Sequence, residues 1–166
     1  MTARRFRLRG SLVLLIGTAD TDTGTACAMR LTSFTDYGLR MLMRMASEPD
    51  RAFSTAEFAE EFRLSRNHLA KIMQRLARAG LVETRRGGSG GAVLARPATE
   101  IRLGGVIRLL ETGQPLVECL GADGGACTLD GRCRLKTRLR SAEAAFLAEL
   151  DRTTLADLTL DPMLIL

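Results

Sequence analysis

The sequence predicts a mainly α-helical protein: a winged helix-turn-helix DNA-binding domain with a two-stranded wing, followed by a long C-terminal dimerisation helix. Three observations predict it. Two short segments with helix-capping signatures flank a tight turn, and the second is basic on its outer face. A basic, glycine-rich stretch between two short apolar runs follows at once, in the place of a wing. Near the C-terminus, apolar residues spaced four, three, four extend a seam for about two heptads, longer than a lone surface helix needs.

The first element is "LTSFTDYGLRMLMRMASEP", residues 31–49, with Phe34, Tyr37, Met41, Leu42 and Met45 at helical spacing and Pro49 ending the segment. In "STAEFAEEF", Ser54 and Glu57 have the spacing of a capping box, which predicts a short second helix. In "RLSRNHLAKIMQRLARAG", Ser65 is the expected N-cap, and Leu69, Ile72, Met73 and Leu76 share one face. Gly80 closes the helix, and Arg66, Asn67, Lys71, Arg75 and Arg78 lie opposite the apolar face. "LVETRRGGSGGAVL" reads as strands 81–84 and 92–94 around a basic tip. Its glycines let Arg85 and Arg86 approach a phosphate or a minor groove. "ATEIRLGGVIRLLE" carries Leu103, Val106, Ile107 and Leu110 on one face, with Thr99 as cap, and is expected to pack on the winged unit. The last helix, "RLKTRLRSAEAAFLAEL", holds the seam Leu135, Leu139, Ala142 and Phe146; a symmetric dimer through it is the natural reading. The expected organisation is therefore an extension at 1–28, a winged helix-turn-helix domain at 29–97, a connecting helix and cysteine loop at 98–132, a dimerisation helix at 133–150 and a tail at 151–166.

Charge supports the same partner. The chain has 24 Lys and Arg against 19 Asp and Glu. Seven of those cations fall between Arg63 and Arg86, where Glu83 is the single acid. That local excess is the footprint expected for binding the phosphates of double-stranded DNA. The DNA-contact candidates are Arg66, Asn67, His68, Lys71, Arg75, Arg85 and Arg86, with His68 also able to serve as a structural group near the turn. An enzyme would need an acid, base or nucleophile constellation, and one histidine with no nucleophile motif supplies none; no enzymatic activity is expected.

Residues 1–28 superficially imitate a secretory signal, with a basic start and a short apolar run at Leu12–Ile16 that is too short to span a bilayer. A signal, a disordered extension and a start upstream of the true one are the three readings. The third is preferred, because Met29 opens a pattern complete without anything before it. Cys27 then leaves the cysteine arithmetic.

Three cysteines remain, in "CLGADGGACTLDGRC": Cys119, Cys127 and Cys133, separated by seven and five residues. A DNA-binding module belongs in the cytoplasm, where thiols stay reduced, which disfavours disulfides. Zinc sites usually use closely paired ligands, and the only histidine lies on the reading helix, so zinc stays possible but fits poorly. Thiolates on a glycine-rich loop suit an iron-sulfur cluster better, although three ligands leave the site one short.

At these residues the chain resembles the Rrf2 family of winged-helix regulators from Met29 to about Leu158. The matching segments are "RLTSFTDYGLR", "SRNHLAKI", "RAGLVETRRGGSGG", the three-cysteine loop and "LAELDRTTLADL". Within the family, "FTDYGLR" with "SRNHL" resembles the nitric-oxide-sensing NsrR branch. The resemblance implies a homodimer with one cluster per subunit, held by Cys119, Cys127 and Cys133, with Asp36 of the partner subunit as fourth ligand. Ser33 and Asp36 also have capping-box spacing, so Asp36 has a purely structural alternative. The resemblance implies a 4Fe-4S rather than a 2Fe-2S cluster, because Lys136 stands where the 2Fe-2S branch has a histidine. Seven residues in the first cysteine interval, where relatives have five, depart from the pattern and bear on cluster type. The function implied is repression that ends when nitric oxide reacts at the cluster. An iron- or redox-responsive regulator of the same family, or a zinc-bound module, is the alternative.

Overall fold

The computed structural model describes residues 30–85, 91–122, 124–129 and 131–160. The extension 1–28, Arg86, the rest of the wing tip and the end of the tail lie outside the described residues. Helix α1 spans Ser33–Ser47. Its N-cap is Thr32, whose hydroxyl accepts from the Thr35 amide at 3.2 Å, so the Ser33–Asp36 box allowed by spacing does not form. A residue at the cap must keep an extended backbone, and Thr32 has it while Ser33 is already helical. Helix α2, Thr55–Glu61, has the expected capping box. The Ser54 hydroxyl accepts from the Glu57 amide at 3.1 Å, and the Glu57 carboxylate accepts from the Ser54 amide at 2.7 Å.

Helix α3, Arg66–Arg78, begins at Ser65 as expected, with the hydroxyl accepting from the His68 amide at 3.3 Å. Gly80 ends it at φ 66°, a left-handed conformation that lets the Leu81 amide donate back to the Leu76 carbonyl at 3.0 Å. Strands β1, Val82–Arg85, and β2, Gly91–Leu94, pair antiparallel with Val82 opposite Leu94 and Arg85 opposite Gly91. Each begins one residue from its expected start. Phe53 widens the sheet on the β2 side, at the end nearer the wing tip, by exchanging both backbone hydrogen bonds with Ala92.

Helix α4 is Leu103–Leu110, and Thr99 does not cap it: Ala98–Glu100 is a separate 3-10 turn. No side chain caps α4, and the Leu103 amide instead donates to the Thr153 carbonyl at 3.0 Å. Helix α5, Arg134–Leu150, is fixed to α4 at its C-terminal end. There Gly104 lets the helices approach so closely that a Cβ would lie 2.5 Å from the Leu147 carbonyl oxygen, and Arg108 donates to Asp151 at 2.6 Å.

One core joins these elements. Met41, Leu42 and Met45 of α1 meet Phe58 of α2 and Leu69, Ile72 and Leu76 of α3, with Val82 and Ala92 from the wing. Val106 and Leu110 of α4 and Leu155 complete it, so the reading unit and the segment carrying the cysteine loop share a single packed interior. By contrast, no residue of α5 is fully buried. No helix among the described residues is long and apolar enough to cross a membrane.

A candidate DNA-reading face and cysteine loop

The Ser54–Glu57 capping box, the Ser65 cap and the turn between α2 and α3 set the angle at which α3 is presented. Arg63 in that turn sits at φ 54°, a conformation that costs a non-glycine residue about 1 kcal/mol or more. Asn67, Lys71 and Arg78 of α3 are exposed, as their places opposite Leu69, Ile72, Met73 and Leu76 require, and Arg66 is exposed at the first position of the helix. Two other candidates on this helix are engaged with the fold. Arg75 is half-buried and donates to the Leu109 carbonyl of α4 at 3.1 Å. His68 is half-buried and meets Phe34 and Tyr37 of α1 edge-on, with ring centroids 6.1 and 6.2 Å apart. Arg85 is exposed at the end of β1, beside the wing tip, and Arg86 is outside the described residues. Gln74 is exposed on the same stripe as Asn67 and Lys71, and selecting for charge passes over it; its spacing of two turns from Asn67 is the signal that finds it.

The cysteine loop leaves α4 at Glu111 and returns at α5. Cys119 is half-buried in the 3-10 turn Glu118–Leu120, Cys127 is exposed, and Cys133 is the half-buried N-cap of α5. The Cys133 sulfur accepts from the Lys136 amide at 3.4 Å. All three thiols are free. Gly124, Gly125 and Gly131 have φ of 69°, 62° and 82°, so the loop reverses direction between the cysteines where side-chain-bearing residues would be strained. Among the described residues no three Cys, His, Asp or Glu side chains stand close enough to hold a metal ion within one chain. The donor set itself, three unpaired thiols on an open loop, fits the soft ligand field of an iron-sulfur cluster.

Asp36 lies on α1, 46% exposed at its side chain, and its carboxylate takes two bonds from the Arg40 guanidinium, at 3.1 Å from Nε and 2.9 Å from Nη2. Arg40 also lies over the Tyr37 ring, 5.2 Å from its centroid. The start of α1 is tied to the root of the cysteine loop by a contact the sequence does not advertise. Glu111 Oε1 accepts from both the Thr32 amide at 2.8 Å and the Thr32 hydroxyl at 2.9 Å. Beside this pair is a cavity of about 340 Å³ lined by Leu31, Ile107, Leu116 and Phe146 among others.

Comparison with known proteins gives this arrangement its relatives. Residues 31–161 match the Rrf2 family, described as iron-dependent transcriptional regulators. The chain belongs to the Rrf2 family. Among solved structures, IscR of T. potens is 28% identical, with 80% of this chain and 87% of that one covered at a TM-score of 0.62. CymR of Staphylococcus aureus is 30% identical, covering 78% of this chain and 99% of that one at a TM-score of 0.60. CymR of B. subtilis, the global cysteine regulator, is 28% identical over 78% and 95% of the two chains at a TM-score of 0.62. This Rrf2 protein is accordingly a DNA-binding transcriptional regulator and not an enzyme, with the winged fold that the capping signals, the wing and the C-terminal helix predict. Rrf2 regulators typically bind DNA as dimers.

Proposed function

We propose that this protein is an iron-sulfur-dependent repressor of the NsrR type, which holds its operator as a homodimer and releases it when nitric oxide is present. The observation that carries the reading is the loop itself: three free thiols, Cys119, Cys127 and Cys133, with the last of them capping α5, a helix with no fully buried residue. Leu135 on that helix is 62% exposed and Leu129 before it 64%, a surface that suits a second copy of the chain. A cluster bound by the three cysteines and by Asp36 of the partner would supply iron that reacts with nitric oxide. Asp36 would leave its pair with Arg40 to reach across the dimer. The three thiolates would hold the loop in one conformation, and that fixes where α5 begins. Glu111 and Thr32 then keep α1 on α4, and His68 keeps α3 on α1.

On DNA, α3 of each subunit would occupy successive major grooves, with Arg66, Asn67 and Lys71 facing the bases and phosphates, and the wings, through Arg85 and Arg86, would follow the flanking minor grooves. Arg75 would act through its hold on α4. The exposed Cys127 thiol keeps a redox-responsive reading in second place. Anaerobic purification tests both. The protein should be brown, should lose its visible band on titration with nitric oxide, and should lose operator affinity in step. Each cysteine-to-serine variant should be colourless, and Asp36→Ala should hold its cluster less stably. A colourless protein with stoichiometric zinc would overturn the proposal. A protein that lets go of DNA on thiol oxidation but not with nitric oxide would favour the second reading.

A further inference from the structure

The middle of the exposed face of α3 interleaves two carboxamides, Asn67 and Gln74, with two cations, Lys71 and Arg78. Successive helical residues turn about 100°. The buried direction set by Leu69, Ile72, Met73 and Leu76 therefore points away from Asn67, Lys71, Gln74 and Arg78, which form one stripe directly opposite. His68 and Arg75 fall about a quarter-turn to the side, where the structure has them packed on Phe34 and Tyr37 and bonded to Leu109. Between Asn67 and Gln74 the small side chain of Ala70 leaves a shallow notch, bordered by Lys71.

We propose that Asn67 and Gln74 are the base-reading pair of this helix and that each reads an adenine in the major groove, with Ala70 meeting a thymine methyl between them. The inference rests on the DNA-binding reading above and names its ligand. A carboxamide is the one side-chain group whose oxygen and NH2 match the N6 donor and N7 acceptor of adenine together, and alanine is small enough to admit the thymine methyl. Seven residues of helix rise about 10.5 Å, close to three base-pair steps of about 3.4 Å. Each half-site should therefore carry two adenines about three base pairs apart, flanking an A·T pair. Lys71 and Arg78, on the same stripe, supply charge without that discrimination.

The test uses the full-length protein, purified anaerobically, to enrich binding sites from a pool of randomised DNA duplexes, followed by fluorescence anisotropy on the enriched duplex. Wild type should enrich the two adenines. Gln74→Ala should lose about tenfold or more of the preference at one of them and Asn67→Ala at the other, with each variant still folded because both positions are exposed. Replacing either adenine by 7-deazaadenine should weaken wild type but not the variant that no longer reads it. Enrichment of the same site by Gln74→Ala and wild type overturns the inference and leaves DNA binding intact. A wild-type protein that enriches no sequence overturns the inference and the DNA-binding reading together.

Discussion

Glu111→Ala should loosen α1 from α4 measurably. Its Oε1 accepts two hydrogen bonds from Thr32, at 2.8 and 2.9 Å, and stands as a negative charge at the N-terminus of a 15-residue helix. A hydrogen bond to a charged group contributes about 1.5–3 kcal/mol when buried, but these two share one oxygen and are only part-buried, so the pair together is worth about 2 kcal/mol. For a folded unit of this size that lowers Tm by roughly 6–10 °C. Glu111→Gln keeps an acceptor oxygen and loses the charge, so it should lose about half as much. Thermal unfolding followed by circular dichroism, at one protein concentration because a dimer's Tm depends on it, reads both variants. A double-mutant cycle with Thr32→Ala isolates the contact and should return a coupling of about 1 kcal/mol. Additive losses in the cycle, or a Glu111→Ala shift below about 2 °C, would refute the reasoning.

Removing the His68 ring, by His68→Ala, should destabilise by about 1–2 kcal/mol through its edge contacts with Phe34 and Tyr37, whereas His68→Phe should keep most of that; equal Tm values for the two would show that the ring does not pack. Gly104→Ala must push α5 away from α4, because the new Cβ meets the Leu147 backbone and Asp151, and a loss of about 1–3 kcal/mol is expected in denaturant unfolding. Arg85→Ala should reduce the slope of log K against log salt by about one unit for a phosphate contact, and an unchanged slope takes Arg85 off the DNA. Glu57 is held below the ordinary glutamate range by the Ser54 backbone amide, then by the Ser54 hydroxyl and Arg51, and Glu48 chiefly by its hydrogen bond from Arg44. A carboxylate depressed in the folded state binds its proton more readily when unfolded, so the stability it contributes is present above the ordinary range and is lost on acidification. Tm should fall below about pH 4, and Glu57→Gln should flatten that fall.

The parts of the fold legible in the sequence are those set by local chemistry. Ser54 with Glu57, Ser65, and Gly80 mark helix ends through bonds that span only three to five residues, and all three form as their spacing requires. Thr99 failed as a cap because the Thr153 carbonyl, fifty-four residues away, takes the Leu103 amide instead, and spacing cannot foresee a distant partner. The Glu111–Thr32 pair was illegible for the same reason, at a separation of seventy-nine residues. On the reading helix, periodicity separated the buried side from the exposed one. Charge then favoured Arg75 over Gln74, although Arg75 lies at the flank, where its long side chain reaches α4.

The contacts between the loop and the reading helix bear on how a signal at the cysteines would reach DNA. Glu111 is the C-cap of α4, where the loop departs, and it holds Thr32 at the cap of α1. Asp36 lies one turn further along the same helix, and Phe34 and Tyr37 on either side of it touch His68 in the first turn of α3. Gly38 brings α1 so close to α4 that a Cβ there would come within 2.6 Å of Leu110, which leaves α1 little room to slide independently. A movement of α1 by the partner's loop would therefore be passed to α3 as a change of angle rather than absorbed by soft packing. A hundredfold change in operator affinity requires about 2.7 kcal/mol of difference between two such arrangements. The Glu111–Thr32 contact, worth about 2 kcal/mol to stability, is one link in that path, so Glu111→Ala should narrow the ratio of operator affinities with and without nitric oxide as well as lower Tm. A variant that loses stability but keeps the full ratio would place the coupling elsewhere, along α5.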